Sequence, residues 1–376
     1  MGSRKYFLDW LRVLAFAGLI FFHVGMLYVT WHYNIKSPRL APGIEGAMNA
    51  LSAFRLVLLF FVSGVASRFL IARLGAGRFA LDRLRRLLPV ILFGMFVVIP
   101  PQTYVELLSK GVTHQSYLDF WMHSYLAADQ TLVRPLHKTM PTWDHLWFIV
   151  YLLFYTLGFA TLFPLARLMR REKPRLPLSL LLLAPAFLLA TGNLLVLYVW
   201  PRTDALVNDW GDHAKWLGMF AFGIVCAGRP LFWEWLRLNR ARFVVSAILL
   251  LIAQSFTNGA AWSALEGFYG WMAVCALCGY AAQYLNRPSA VLSHLNEAVL
   301  PIYVLHQPIL LIAAFALFPL RLPLPQEAAL LAAITGGGAL LIYETAIRPF
   351  GIMRFLFGLK PKRPHAIAEN PRLCLP

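Results

Sequence analysis

Arg12 and His23 are two ionisable residues within an otherwise apolar first segment. Such groups cost roughly 2.5–3.5 kcal/mol each to insert into a bilayer, so they usually face a polar interior or a substrate path. In a helix, their spacing places them on one face, about 16 Å apart along the axis. A histidine can accept a proton from a hydroxyl near neutral pH. The pattern indicates the wall of a site open to both sides of a membrane, although His23 could serve helix packing, and Arg12 could pair with Asp9 or reach lipid phosphates.

Four more ionisable residues fall in apolar segments: Arg55, His145, His306 and Glu344. His145 opens a segment at the level of His23, and His306 is followed by Pro308, which opens the helix backbone. Each residue alone fits packing as well as chemistry. Together they predict a polar interior too rich for a passive bundle, with His145, His306 and Glu344 as further catalytic candidates.

Arg83 and Arg86 lie one helical turn apart in the run LDRLRRLLP. A guanidinium donates two parallel hydrogen bonds to phosphate, so the pair could hold a phosphorylated substrate. Contact with anionic lipid is the structural alternative, and for this pair taken alone it is the stronger one.

Trp143, Asp144 and Trp147 begin the same segment as His145. Aromatic and acidic side chains together suit a sugar, through ring stacking and hydrogen bonds to hydroxyls. The alternative is the aromatic belt found at the ends of most membrane helices.

The composition indicates a membrane protein: 59% of the 376 residues are hydrophobic and 14% are charged. Soluble domains carry about 25% charged residues. The prediction is an all-α polytopic bundle of about ten spans within 1–350, followed by a basic, flexible tail at 351–376. The predicted spans are 7–29, 50–71, 87–108, 145–165, 178–200, 214–230, 243–260, 265–285, 297–319 and 326–347.

The net charge of +17 could suggest nucleic-acid binding, but its distribution argues against it. Lys and Arg favour the connections on one side by about three to one, which predicts that both termini are cytoplasmic. The chain has no metal-binding spacing of His and Cys, so no metal is expected. The CxxC at Cys275 and Cys278 lies in an apolar span and is assigned to packing.

Several stretches resemble the acyltransferase-3 family of multi-pass membrane enzymes, among them YFLDWLRVLAFAGLIFFHVGM, FRLVLLFFVSG, HLWFIVYLLFY and LNEAVLPIYVLHQP. Arg12 and His23 match the family's motif of an Arg, ten residues and a His, and Arg83 and Arg86 match its RxxR pair. Within the family, the chain is most similar to the glucan biosynthesis protein C group, which succinylates osmoregulated periplasmic glucans.

The resemblance implies a bacterial inner-membrane enzyme that moves an acyl group from cytoplasmic acyl-CoA to a periplasmic glucan or another exported carbohydrate. Succinyl-CoA is the expected donor, with acetyl-CoA as the alternative, and glucan synthesis proteins are possible partners. It also implies that His23 takes part in acyl transfer and that Arg12, Arg83 and Arg86 hold the acyl-CoA. Arg55 is the candidate for the distal carboxylate of a succinyl group.

Two chemical routes stay open: His23 deprotonates the acceptor hydroxyl for direct attack, or it first takes the acyl group itself. His145 or His306 could orient His23 or stabilise the oxyanion. The alternative function is a secondary transporter or proton-coupled carrier of a small anion, which the absence of an internal repeat disfavours. A catalytically inactive partner of a glucan synthase is a third possibility.

Overall fold

The computed structural model describes residues 5–134, 138–169 and 176–361, with side chains up to 165 in the second range. The described residues form helices joined by turns and loops, and no strand occurs among them, which confirms the all-α prediction. In chain order the main helices are α1 (Tyr6–Met26), α2 (Glu45–Leu74), α3 (Ala76–Phe93), α4 (Pro100–Ser109), α5 (Trp147–Met169), α6 (Leu178–Tyr198), α7 (Trp210–Cys226), α8 (Pro230–Leu238), α9 (Arg240–Ser255), α10 (Gly259–Tyr284), α11 (Ala290–Leu317), α12 (Leu324–Ile342) and α13 (Gly351–Leu356).

Nine of the ten predicted spans each coincide with one of these helices, and the span 87–108 covers the end of α3, the π-helical segment Gly94–Val98 and α4. In the part of the chain that the structure describes, seven helical stretches are long and apolar enough to cross a membrane, so this is a multi-pass membrane protein. An eighth stretch combines α7 with α8, which are bent by 103° at their junction. Helices α9 and α10, which match the other two predicted spans, fall short of that length or hydropathy.

Close packing of α2 against α7 depends on two glycines. A methyl group on Gly64 would lie 2.0 Å from the carbonyl oxygen of Phe220, and one on Gly223 would lie 2.1 Å from that of Phe61. Because lipid supplies little hydrophobic drive between helices, small residues that let backbones approach are a main source of packing energy. This contact holds α2, which carries Arg55, in a fixed position against α7.

The bundle has two ends, which we name by the residues they carry. The arginine end is where α1 begins and holds Arg12, Arg83 and Arg86; the histidine end is where α1 finishes and holds His23. Buried apolar residues fill the space between them.

The predicted tail begins too early in the chain. Helix α13 and the residues up to 361 fold against the bundle, with Arg354, Phe357 and Leu359 buried. Arg354 donates hydrogen bonds to Glu297 of α11 at 2.7 Å and to the carbonyl oxygen of Lys360 at 2.7 Å. These contacts give 351–361 a place in the domain, whereas 362–376 lies outside the described residues.

Candidate active site

Three histidines from three different helical segments meet at the histidine end. The ring of His23 on α1 lies 5.1 Å from that of His306 on α11, and the His306 ring lies 5.4 Å from that of His145. His145 and His306 are 7% and 1% exposed, whereas His23 is only partly buried, so the cluster is reached through His23. The structure thus brings together three residues that are far apart in the sequence, as predicted.

Pro308 helps to fix the position of His145. A proline has no N–H to donate to the carbonyl four residues earlier, which here is that of Val304. His145 donates from Nε2 to this free carbonyl oxygen at 3.1 Å. A carbonyl can only accept, so Nε2 carries the proton and Nδ1 of the neutral ring keeps its lone pair.

His306 is held in the same manner. Its Nδ1 donates to the carbonyl oxygen of Tyr303 at 2.5 Å, which leaves Nε2 with the lone pair. Nε2 of His306 and Nδ1 of His145 are both buried, and neither has a hydrogen-bond partner among the described residues. In their neutral forms these two nitrogens accept hydrogen bonds, so they suit a substrate hydroxyl and not an oxyanion.

Tyr33 is the contact that the sequence analysis missed. It lies in the loop after α1, and this loop folds back so that the Tyr33 hydroxyl is 3.1 Å from Nδ1 of His23 and the two rings stack. Burial, reinforced by the carboxylates of Asp144 and Glu106, raises the pKa of Tyr33 well above its ordinary value. Tyr33 therefore stays a neutral hydroxyl, and Nε2 is the His23 nitrogen left for chemistry.

A polar layer lies beyond the histidines. Gln307 donates to Asp144 at 3.3 Å, and Asn34 donates to Glu106, which is fully buried, at 2.7 Å. The ammonium group of Lys138 lies 2.5 Å from Glu106 and 3.7 Å from Asp144. Burial acts to lower the pKa of Lys138, but the two carboxylates outweigh it and raise that pKa, so the lysine stays charged.

Arg55 is a buried cation beside this cluster, 5% exposed. Its guanidinium carbon lies 3.8 Å from the centre of the ring of Phe22, the residue before His23. Its Nε and Nη1 have no hydrogen-bond partner among the described residues. A buried charge without a counter-ion is costly, so this position suits an anionic group brought by a substrate.

Arg12, Arg83 and Arg86 line one cavity of about 370 Å³, the arginine cavity, which opens at the arginine end. Arg12 contacts Asn296 and Asp9, Arg83 pairs with Asp82, and Arg86 donates to the carbonyl oxygen of Gly358. Arg354 and Lys360 also line it, and the sequence analysis missed both because it assigned them to the tail. The arginine cavity thus concentrates five basic side chains on one opening.

An aromatic layer separates the arginine cavity from the histidines. Phe16 and Phe148 line the inner end of the cavity, and their ring centres lie 5.2 Å and 6.2 Å from that of Tyr303. Tyr303 also stacks on His306 and donates its hydroxyl to the carbonyl oxygen of His145. These three rings therefore connect the lining of the arginine cavity to the histidine cluster.

Glu344 does not join either site. It lies past the end of α12, where it contacts His294 at 2.7 Å and Arg348 at 2.8 Å, and it is one-third exposed. Glu327, near the other end of the same helix, contacts Tyr28 at the histidine end. The two glutamates are about 25 Å apart along the helix, so the structure does not place Glu344 with His23.

The three residues predicted to contact carbohydrate are each held by other residues of the chain. Asp144 is held at the histidine cluster by Gln307, but Trp143 donates to the carbonyl oxygen of Asp204 at 3.1 Å. The Trp147 ring lies 5.0 Å from the guanidinium of Arg202. Both tryptophans therefore connect the histidine cluster to the loop after α6.

Three carboxylates in this region lie close enough together to resemble a metal site: Asp204, Asp209 and Asp212. Each already has a partner. Arg202 pairs with Asp204 at 2.8 Å and with Asp212 at 3.4 Å, and the Tyr151 hydroxyl donates to Asp209 at 2.5 Å. The three carboxylates therefore fit a network of ion pairs and hydrogen bonds with Arg202 and Tyr151.

Comparison with known proteins agrees with this geometry. The acyltransferase domain of the acyltransferase-3 family matches residues 5–344, so the chain belongs to this family and is a membrane acyltransferase. The transporter and inactive-partner alternatives are therefore set aside.

Among curated proteins, the chain is similar to the glucans biosynthesis proteins C of Salmonella gallinarum and Salmonella enteritidis. Each is 24% identical to it over 96% of both chains. No solved structure is significantly similar to the chain.

Proposed function

We propose that this protein transfers an acyl group, with succinyl as the first expectation, from cytoplasmic acyl-CoA to a hydroxyl of a periplasmic glucan. The observation that supports this best is the arrangement, in this order along α1, of a cavity lined by five cations, a layer of aromatic rings and a cluster of three histidines. A phosphorylated donor fits one end and a neutral hydroxyl fits the other. The glucan comes from the names of the relatives, and an exported carbohydrate of another kind would use the same chemistry.

The arginine cavity is the donor site in this proposal. Acyl-CoA carries phosphates that cannot cross lipid, so they stay at the end where basic residues concentrate, which the charge distribution assigns to the cytoplasm. Arg12, Arg83 and Arg86 bind the phosphates, and Arg354 and Lys360 add charge at the opening. The pantetheine arm then carries the thioester inward past Phe16, Phe148 and Tyr303, whose side chains must rotate to admit it.

The histidine cluster is the transfer site. The proposal requires the His23 tautomer with its proton on Nδ1, 3.1 Å from the Tyr33 hydroxyl, so that Nε2 has the lone pair and accepts the proton of the attacking hydroxyl. The new carbon–oxygen bond forms as the thioester carbon–sulfur bond breaks, and the departing thiolate takes the proton from His23. The lone pairs on His145 and His306 accept hydrogen bonds from neighbouring hydroxyls of the sugar.

Arg55 supports a dicarboxylic acyl group. Its unpaired guanidinium lies inside the transfer site, and the free carboxylate of a succinyl group would supply the missing counter-ion. An acetyl group has no charge to offer it. Arg55 therefore favours succinyl-CoA over acetyl-CoA.

The experiment is mass spectrometry of periplasmic glucans and other surface carbohydrates from bacterial cells with and without this protein. Cells that make the His23→Ala variant are the third sample, with membrane insertion checked by immunoblot. A succinyl mass increment that requires His23 supports the proposal. An acetyl increment that requires His23 would identify acetyl-CoA as the donor instead. Identical masses in every carbohydrate pool would contradict it.

A further inference from the structure

A second polar cavity, of about 380 Å³, lies between α2, α6, α7 and α10 at the histidine end, and no step described above uses it. We name it the Lys215 cavity. It is lined by Ser52, Asn193, Arg202, Lys215, Trp216 and Glu266, together with apolar side chains and Asp212. Its volume is within the range of small-molecule sites.

The Lys215 cavity contains a buried ion pair. Lys215 is 8% exposed and lies 2.7 Å from Asp212, which is fully buried. Helix α6 makes room for this lysine, because a methyl group on Gly192 would lie 2.3 Å from the Lys215 side chain. Replacing a buried ion pair by apolar residues is often neutral or stabilising, so its presence here needs a reason other than stability.

Trp216 supplies an independent sign that the cavity takes a ligand. Its ring is 6% exposed and stacks on Phe60, yet its Nε1 has no hydrogen-bond partner among the described residues. A buried indole N–H normally has a partner, and leaving it without one costs about 1–3 kcal/mol. A polar group in the cavity would provide it.

The lining determines which ligand fits. The two cations, Arg202 and Lys215, are balanced by the carboxylates of Asp212 and Glu266, so the cavity does not select a net charge. Asn193 donates to Glu266 at 3.1 Å, and both side chains keep further hydrogen-bonding capacity. Donors and acceptors on all sides of a neutral space match hydroxyl groups, each of which both donates and accepts.

The cavity also lies where a long acceptor would reach it. Lys215 is about 7 Å below the start of α7, and His23 is about 5 Å from the end of α1, so both sites are at a similar depth from the same end. Arg202 lines the Lys215 cavity and contacts Trp147, which is on the side of the histidine cluster. A single oligosaccharide entering from this end could occupy both sites.

We propose that the Lys215 cavity binds a glycosyl residue of the acceptor carbohydrate, away from the hydroxyl that is acylated. This inference rests on the proposed function, because it assumes a carbohydrate acceptor with several sugar residues. The protein should therefore bind oligosaccharides more tightly than single sugars.

The test uses thiol labelling of a cysteine in the cavity, Ser52→Cys, in purified full-length protein that also carries Cys374→Ala. The three other cysteines are buried. The probe is a pool of β-linked gluco-oligosaccharides, with methyl β-glucoside as the short control. At ten times the dissociation constant, the oligosaccharide should slow labelling about tenfold by mass action. Ser255→Cys, at the same end but outside the cavity, should label at one rate throughout.

Calorimetric titration of the same oligosaccharides covers the case in which the Ser52→Cys thiol does not react. Glu266→Gln, which keeps the size of the side chain, should weaken binding roughly tenfold through loss of a charge-assisted hydrogen bond. Trp216→Phe keeps the stack on Phe60 and should weaken binding about threefold. Equal affinity of parent and Glu266→Gln, or protection by phosphorylethanolamine and not by the saccharide, would overturn the inference. No acyl donor is present, so the result is separate from the success or failure of acyl transfer.

Discussion

The two ends of the bundle use charge in opposite ways. The arginine cavity is open and holds five basic side chains, of which Arg83 pairs with its neighbour Asp82. The histidine cluster contains two buried rings, His145 and His306, whose protons are directed by backbone carbonyls, beside His23, which contacts the Tyr33 hydroxyl. Binding a polyanion needs many accessible cations, whereas proton transfer needs a few groups in defined tautomers. On the proposed function, this difference means that affinity for the donor and catalysis belong to separate parts of one helix bundle, connected by α1.

The strongest test of this division is removal of the proposed base. His23→Ala should lower kcat for transfer to the acceptor by about 1000-fold, with KM for acyl-CoA little changed. The measurement is initial-rate kinetics of purified protein with radiolabelled acyl-CoA. Phe21→Ala, which shortens an exposed side chain on the same helix, is the matched control. A parallel rise in KM for acyl-CoA would show that the two ends are not separable.

The reciprocal test removes charge from the other end. Arg83→Ala combined with Arg86→Ala should raise KM for acyl-CoA about 100-fold, because two charge-assisted hydrogen bonds are lost. The rate at saturating donor should stay close to that of the parent. Arg78→Ala with Arg85→Ala, two arginines of the same helix outside the cavity lining, controls for the loss of charge. An unchanged KM in the first double variant would assign those arginines to lipid contact.

A variant of Arg55 tests whether the transfer site distinguishes a charged acyl group from a neutral one. Arg55→Met should reduce the preference for succinyl-CoA over acetyl-CoA about 30-fold, since only the succinyl group loses a charged partner. Competition between the two donors in one reaction measures the ratio directly. Equal losses with both donors would mean that Arg55 acts on the reacting carbonyl and not on the distal carboxylate.

The smallest expected effect concerns Tyr33. Tyr33→Phe keeps the ring stacked on His23 and removes only the hydroxyl, so kcat should fall about fivefold with both KM values unchanged. Its pH–rate profile should also shift, because the hydroxyl helps to fix the proton position on His23. Tyr28→Phe, which removes a hydroxyl bonded to Glu327, is the matched control. A profile identical to that of the parent would leave Tyr33 with a packing role.

Helix positions and the main site residues could be predicted because they depend on local pattern. Apolar length locates the helices, and the cost of an ionisable group in lipid singles out Arg12, His23, His145 and His306. Glu344 satisfied the same rule, but its helix ends there and the side chain reaches His294 and Arg348 at the surface.

The missed residues depend on how chain segments return to the bundle. Tyr33 acts because the loop after α1 folds back under its own helix, and hydropathy carries no signal for such a turn. Arg354 and Lys360 reach the arginine cavity because the segment after α12 packs against the bundle, whereas its basic composition resembles a tail. Long-range packing of this kind is set by side-chain fit across helices and not by the local pattern.

The rings of Phe16, Phe148 and Tyr303 also have an energetic consequence for the cell. Moving one elementary charge across a membrane potential of about 100 mV releases about 2.3 kcal/mol, so a continuous water path through an enzyme with sites at both ends would leak protons. The three rings pack edge to face against one another at the inner end of the arginine cavity. If acyl transfer proceeds as proposed, this apolar layer would oppose the passage of protons between the two ends, and the thioester arm would occupy the gap as it passes.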